Sequence, residues 1–241
     1  FDAYLERGGN LFILGEPKRQ QFMNPVIERL GLRFADGIIV SPSEVNLDDL
    51  VAANIKEGAA KVSENYIRYF RSGYSIMTPS ACAVEVIDSA KGFEITEVLA
   101  SAGKGSWVEK ETTDFINEKS VLNPAVGEVE KSNSIMLYLT RPVNNKEQRI
   151  FVIGDADCIS TLELSQNRPG FRSSNFTLIT ETFRNLSYGE FPVEASRVNP
   201  PDDRVLVTRN VIFGIRVVLM WIIPLLFVTG CITLLIRRKR K

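Results

Sequence analysis

The chain contains no histidine. That absence excludes a Ser-His-Asp triad, a Cys-His dyad and any histidine-ligated metal centre built from these residues. General acid–base work would fall to Asp, Glu, Lys, Tyr or Cys. Cysteine is scarce: Cys82, Cys158 and Cys231 are the whole set, and their spacing forms no CxxC or zinc pattern. Cys231 lies in an apolar run, so at most Cys82 and Cys158 could pair; the simpler reading is small buried side chains. A phosphate loop is missing too. SAGKGS (Ser101 to Ser106) hints at one, but Lys104 is followed by Gly105 instead of Ser or Thr, and Val98 stands where the motif's first glycine is required. It reads as a flexible loop before Trp107.

Net charge is also lacking, with 29 basic residues against 29 acidic. The balance is uneven along the chain. Five cations close it, Arg237, Arg238, Lys239, Arg240 and Lys241, and removing those five leaves 24 basic against 29 acidic residues. A mildly acidic domain is a poor partner for nucleic acid.

What is present at the C-terminus is a long apolar run. Val217 to Ile236 contains 20 residues without a charge. At helical rise they cover ~30 Å, the thickness of a bilayer's hydrocarbon core. Pro224 inside the run is expected to kink the helix, which membrane helices tolerate. Arg216 can snorkel to the interface. Cations straight after the span follow the positive-inside rule, so the tail is expected in the cytoplasm, against anionic lipid, and the preceding domain outside.

The remainder reads as a layered α/β domain. GGNLFILGEP (Gly8 to Pro17) is a strand between glycine turns. NPVIERLGLRF follows as a helix, with Asn24 as N-cap, Pro25 at the first helical position and Gly31 at the end. DGIIVSP is the next strand, and the order suggests a βαβ unit. NLDDLVAANI looks helical. CAVEVID, FEITEVLAS, SIMLYLTRP and RIFVIGDAD look like strands, the last two joined by the polar turn VNNKEQ, which permits an antiparallel pair and a mixed sheet. Phe176, Leu178, Ile179, Phe183 and Leu186 fit one face of a helix packed on that sheet. The expected organisation is a domain over 1–197, a linker over 198–210, a membrane helix over 211–236 and a basic tail over 237–241. The opening FDAYLERGG resembles a helix already under way, so the chain is expected to be a fragment or processed form.

Several stretches invite a chemical reading. GDAD (Gly154 to Asp157) puts Asp155 and Asp157 at the carboxyl end of a strand, where ligands of α/β folds collect. Two acids there could hold a divalent cation or share a proton. Alternatively Gly154 ends the strand and an Asp caps the next turn. Asn175 and Asn185 begin glycosylation tripeptides. Tyr66, Tyr69, Phe70 and Tyr74 form an aromatic cluster that suits the core or a partner-binding face.

YLERGGNLFILGEP, EVLASAGKGSWVEK, RIFVIGDADCIS, NFTLITETFRNLSYGEFPVE and a final span with a basic tail occur in this order. Together they resemble the gliding-motility-type ABC transporter auxiliary proteins, the GldG-like family, over nearly the whole chain. Cys158 departs from the aromatic that commonly follows GDAD in that family. The resemblance implies an extracytoplasmic glutamine-amidotransferase-like (flavodoxin-like) α/β domain with a mostly parallel or mixed sheet, lacking that fold's catalytic residues. It implies one C-terminal anchor in a bacterial inner membrane, and association with an ABC permease and ATPase. The expected function is a non-catalytic auxiliary subunit binding cargo or a partner, with Asp155, Asp157 and Trp107 as candidate contact residues and no cofactor or metal. The alternatives are a membrane-tethered, metal-assisted hydrolase using the GDAD carboxylates, and an envelope scaffold without a transporter.

Overall fold

The computed structural model describes residues 1–168, 170–192 and 209–239. Two compact units divide the chain near Val193. The described strands are β1 (Leu11–Leu14), β2 (Leu32–Phe34), β3 (Ile38–Val40), β4 (Leu50–Ile55), β5 (Ile76–Pro79), β6 (Val84–Val86), β7 (Glu94–Ala100), β8 (Trp107–Glu109), β9 (Ser134–Val143) and β10 (Lys146–Ile153). The helices are α1 (Asp2–Glu6), α2 (Gln20–Ile27), α3 (Glu64–Arg71), α4 (Thr161–Ser165), α5 (Asn175–Leu186), α6 (Arg209–Val217) and α7 (Ile223–Lys239).

Six strands form one mixed sheet in the order β1-β10-β9-β7-β4-β5. Only β1 and β10 run parallel; the other pairings are antiparallel. A mostly parallel sheet is therefore not what forms. The expected βαβ unit also fails. The strands after α2 leave the main sheet, β2 pairing with β6 and β3 with β8 in separate antiparallel ribbons. The β9–β10 hairpin turns on Asn144 and Asn145, both at positive φ (49° and 63°), so the loop is two residues and not the six of VNNKEQ. Asparagine tolerates that backbone region, and the turn matches the twist of the strands.

Alternation along the central strands fills both faces of the sheet. Phe12, Tyr138, Phe151 and Ile153 face one core with Tyr66 of α3 and Leu178 of α5. Ile13, Leu137, Leu139, Ile150 and Val152 face the other, with Leu5 of α1, Ile27 of α2 and Phe34 of β2. Each fully buried side chain of this size contributes ~1.5–3 kcal/mol. A third, small cluster joins Ile38, Val40, Trp107 and Phe115 beneath the β3–β8 ribbon.

Three local expectations are corrected. NLDDLVAANI supplies strand β4, not a helix: Val51, Ala53 and Ile55 are buried on alternate positions between β5 and β7. The alanines favour a helix weakly, and pairing on both edges overrides that preference. Asn24 is not an N-cap, because α2 starts at Gln20 and carries Pro25 inside it. The Asn24 amide instead bonds both the N–H and the C=O of Phe34, at 2.9 and 3.1 Å. Gly31 does end the helical segment, in the left-handed conformation. The buried face of α5 is more polar than its apolar spacing suggests. Asn175, Leu178, Glu181 and Thr182 are buried, while Phe176 is 70% exposed.

The second unit is helical from Arg209 to Lys239. Within it, Val211–Lys239 is long and apolar enough to cross a membrane, with mean hydropathy 2.6 and its apolar side chains exposed. A π-helical turn at Val218–Ile222 ends two residues before Pro224. Proline lacks an N–H and crowds the carbonyl one turn earlier; a wider turn relieves both demands. Helix begins inside the expected linker, whose residues 198–208 lie outside the described residues, as do Arg240 and Lys241. Arg237, Arg238 and Lys239 form the last described turn of α7.

Candidate functional site

The parallel pairing of β1 with β10 brings LGEP and IGDAD side by side at the carboxyl edge of the sheet. Gly15 donates to the Ile153 carbonyl at 2.7 Å. Both glycines are required by close approach. A Cβ on Gly15 would stand 2.6 Å from the Phe34 ring, and one on Gly154 would stand 1.8 Å from the Cys82 carbonyl oxygen. The two acids that follow, Glu16 and Asp155, come together from positions far apart in sequence.

Asp155 is fully buried. Its Oδ1 accepts the Asp157 N–H at 2.7 Å and the Cys158 N–H at 3.2 Å, holding the short 3-10 turn Asp157–Ile159. This is the turn-capping role, and Asp157 itself is exposed. Oδ2 of Asp155 is buried with no partner. Burial pushes its carboxyl up to about 8; the two N–H groups oppose the shift, and the charges of Asp157 and Glu16 add to it. The site therefore keeps a neutral carboxylic acid in the core near neutral pH. Glu16 is raised by burial and by Asp157, against the Ala156 N–H and Arg19.

Cys82 and Cys158 flank this edge as free, buried thiols. Their sulfurs donate to the carbonyls of Gly154 and Asp155, each at 3.2 Å. Burial pushes Cys82 up to about 12 and Cys158 higher still, so neither is a ready nucleophile. Among the described residues no group of three or more Cys, Asp or Glu side chains is placed to hold a metal.

Trp107 stands apart from this edge. It is buried in the small third core and donates through Nε1 to Glu109 Oε2 at 3.1 Å. Oε1 of Glu109 accepts the N–H groups of Glu111 and Thr112, and Glu128 accepts those of Lys110 and Asn123. Burial raises the Glu109 carboxyl, but these donors outweigh it and hold it below the usual range. Glu109 and Glu128 thus organise the loop over 110–131, and Trp107, 7% exposed, packs in the core beside Phe115. The neighbouring SAGKGS loop is tied to it by Gly105 N–H on Glu130 at 2.5 Å.

Sequence reasoning missed the most connected polar residue. Asn175, read as the start of a glycosylation tripeptide, is 2% exposed. Its Oδ1 accepts the Met77 N–H at 2.9 Å, and its Nδ2 donates to the Met77 and Cys158 carbonyls at 2.7 Å each. The amide thereby continues β5, the edge strand, and ties it to the turn that Asp155 holds. Glu16 was also missed. The signal was present, because LGEP repeats the apolar-strand–Gly–acid pattern of IGDAD. The aromatic cluster divides: Tyr66 is core, its hydroxyl bonded to the Leu178 carbonyl at 2.8 Å, whereas Tyr69 and Tyr74 meet edge to face at 5.0 Å beside the start of α5.

No family model, no curated protein and no solved structure matches this chain.

Proposed function

We propose that this chain is a membrane-anchored, extracytoplasmic auxiliary subunit of an ABC-type transport system, a non-catalytic module that binds cargo or a partner. The observation behind the reading is the combination of parts in one chain. A mixed α/β domain spends its GDAD edge on holding a turn, and an exposed apolar helix ends in Arg237, Arg238 and Lys239. By the positive-inside rule those cations stay in the cytoplasm, at a bacterial inner membrane, and the domain lies outside. The finer fold assignment within this proposal is glutamine-amidotransferase-like. Helices on both faces of the sheet support it, and the largely antiparallel pairing is a departure from it. Partners are then an ABC permease and its ATPase, since this chain has no phosphate loop of its own.

The test is co-purification of the tagged full chain from native membranes in mild detergent. Near-stoichiometric recovery of an ABC ATPase and permease is the expected result. Recovery of envelope proteins alone would replace the reading with a scaffold. A second reading, a membrane-tethered hydrolase, draws on the unpartnered, neutral acid at Asp155. It requires divalent-cation heat in calorimetry that disappears in Asp155→Asn or Asp157→Asn.

A further inference from the structure

The six-stranded sheet closes one of its edges and leaves the other open. β5 is covered at its outward positions. Just before it, the Ser75 N–H donates to the Arg172 carbonyl at 2.9 Å, and the Ser75 carbonyl accepts the Ser174 N–H at 3.1 Å. The Asn175 amide takes the N–H and C=O of Met77, and Pro79 has no N–H to offer. β1 stands at the opposite edge. Gly15 donates to the Ile153 carbonyl, and a parallel ladder alternates, so Leu11 and Ile13 also bond to β10. The N–H and C=O groups of Phe12 and Leu14 therefore point away from the sheet. Asn10 is in the same phase, and its carbonyl accepts the Tyr4 hydroxyl at 2.9 Å. The backbone groups of Phe12 and Leu14 have no such partner among the described residues.

An open edge is a template for another strand, and proteins ordinarily guard it with a proline, a charge or a bulge. LFIL carries none of these. Leu11, Phe12 and Leu14 are only half-buried. Apolar side chains flank the edge on both faces of the sheet. On one, Phe12 meets the exposed Phe183 edge to face at 6.2 Å; on the other, Leu11 and Met23 lie against the second core. An incoming strand would thus find donors and acceptors for its backbone and apolar contacts for its side chains. Charge selects the occupant. Lys18 and Arg19 follow the strand and are exposed, while Glu16 is half-buried and turns to the Ala156 N–H. A second copy paired antiparallel, Phe12 opposite Leu14, would bring Arg7 opposite Arg19, setting like charges together. A foreign strand with an acidic end meets Lys18 and Arg19 favourably.

We infer that the β1 edge docks an extended segment of a partner protein, a short β-branched apolar run with an acidic end, added to the sheet beside Phe12 and Leu14. The inference goes beyond the transporter reading and does not depend on it.

Titration calorimetry and site-resolved hydrogen exchange on the full chain in neutral detergent test it. The probe is a peptide of alternating valine and threonine flanked by glutamates. One control carries lysines as flanks, and another a proline in the centre. The glutamate peptide is expected to bind about tenfold more tightly than the lysine peptide, and the proline peptide not at all. At saturation it should slow exchange at the Phe12 and Leu14 amides about tenfold or more, leaving Leu11 and Ile13 unchanged. Leu14→Pro removes only an outward N–H, so it should weaken binding about tenfold or more with the far-ultraviolet spectrum unchanged. No heat from the glutamate peptide at millimolar concentration, binding that survives the central proline, or a preference for lysine flanks would overturn the inference. So would slow exchange at Phe12 and Leu14 without peptide: protection that rises with protein concentration assigns the edge to a second copy, and constant protection means the edge is already covered. The exchange and peptide comparisons use the unaltered chain, so they decide the matter even where the proline perturbs folding.

Discussion

Asp155→Asn should stabilise the domain at neutral and alkaline pH. In the folded chain the Asp155 carboxyl is raised from 3.8 to about 8, chiefly by burial. An unfolded chain releases that proton near pH 4. Between those values the folded state holds a proton that the unfolded state has lost. Stability from this group is therefore full below pH ~4 and declines as pH rises to about 8, where the folded state ionises as well. Each unit of difference is worth ~1.4 kcal/mol, so several kcal/mol are at stake, a large part of a typical domain's ~5–15 kcal/mol. Asparagine keeps an oxygen for the Asp157 and Cys158 N–H groups and cannot ionise. At pH 8 the variant should gain about 2–4 kcal/mol over the native chain, and at pH 4.5 the two should be nearly equal. Denaturant unfolding of the full chain, followed from pH 4.5 to 8.5, reads this difference. Taking the difference between the two chains cancels acids that do not interact with Asp155, such as Glu109, whose shift has the opposite sign; the Glu16 charge is coupled to Asp155, so its contribution stays in the difference. A variant less stable than the native chain at pH 8, or a gap that narrows as pH rises, would refute the reasoning.

Three further substitutions test the packing around that edge. Asn175→Ala strands the Met77 N–H and C=O and the Cys158 C=O in the core, and should cost about 3 kcal/mol or more in denaturant unfolding. Tyr66→Phe removes a buried hydroxyl bonded to the Leu178 carbonyl at 2.8 Å and to Thr182 Oγ1 at 3.2 Å, and should cost about 1–2 kcal/mol by the same measurement. Gly154→Ala drives a methyl into the Cys82 carbonyl, so it should lower the melting temperature far more than alanine at Gly103, where the nearest atom to the added carbon is the Ser132 Cβ at 4.0 Å. Equal effects at the two glycines would contradict the close approach.

The parts legible in the sequence are those whose signal is local. The β9–β10 hairpin announces itself through two apolar runs around Asn144 and Asn145. The apolar helix is legible from 20 uncharged residues, and the end of the α2 segment from Gly31. The capping alternative for GDAD was legible because glycine followed by aspartate is ordinary turn chemistry. What was hidden depends on partners distant in the chain. The pairing of β1 with β10 joins residues well over a hundred positions apart, so Glu16 could not be placed beside Asp155 by inspection. Asn24 and Asn175 were read by their local habits, as a cap and as a modification site. Both instead lend an amide to the edge of a strand, because that group offers the same donor and acceptor as a peptide unit. The Trp107 indole N–H finds its acceptor in Glu109, inside the third core.

In the proposed function the domain lies outside the membrane, held there by its C-terminal span. Protease protection tests it most directly. Cells expressing the full chain with a small tag after Lys241 are converted to spheroplasts and treated with protease, with and without detergent. The expected result is loss of the domain and survival of a fragment carrying the span and tag until detergent is added. A tag removed from intact spheroplasts, a domain that resists digestion there, or a chain recovered in the soluble fraction would contradict it.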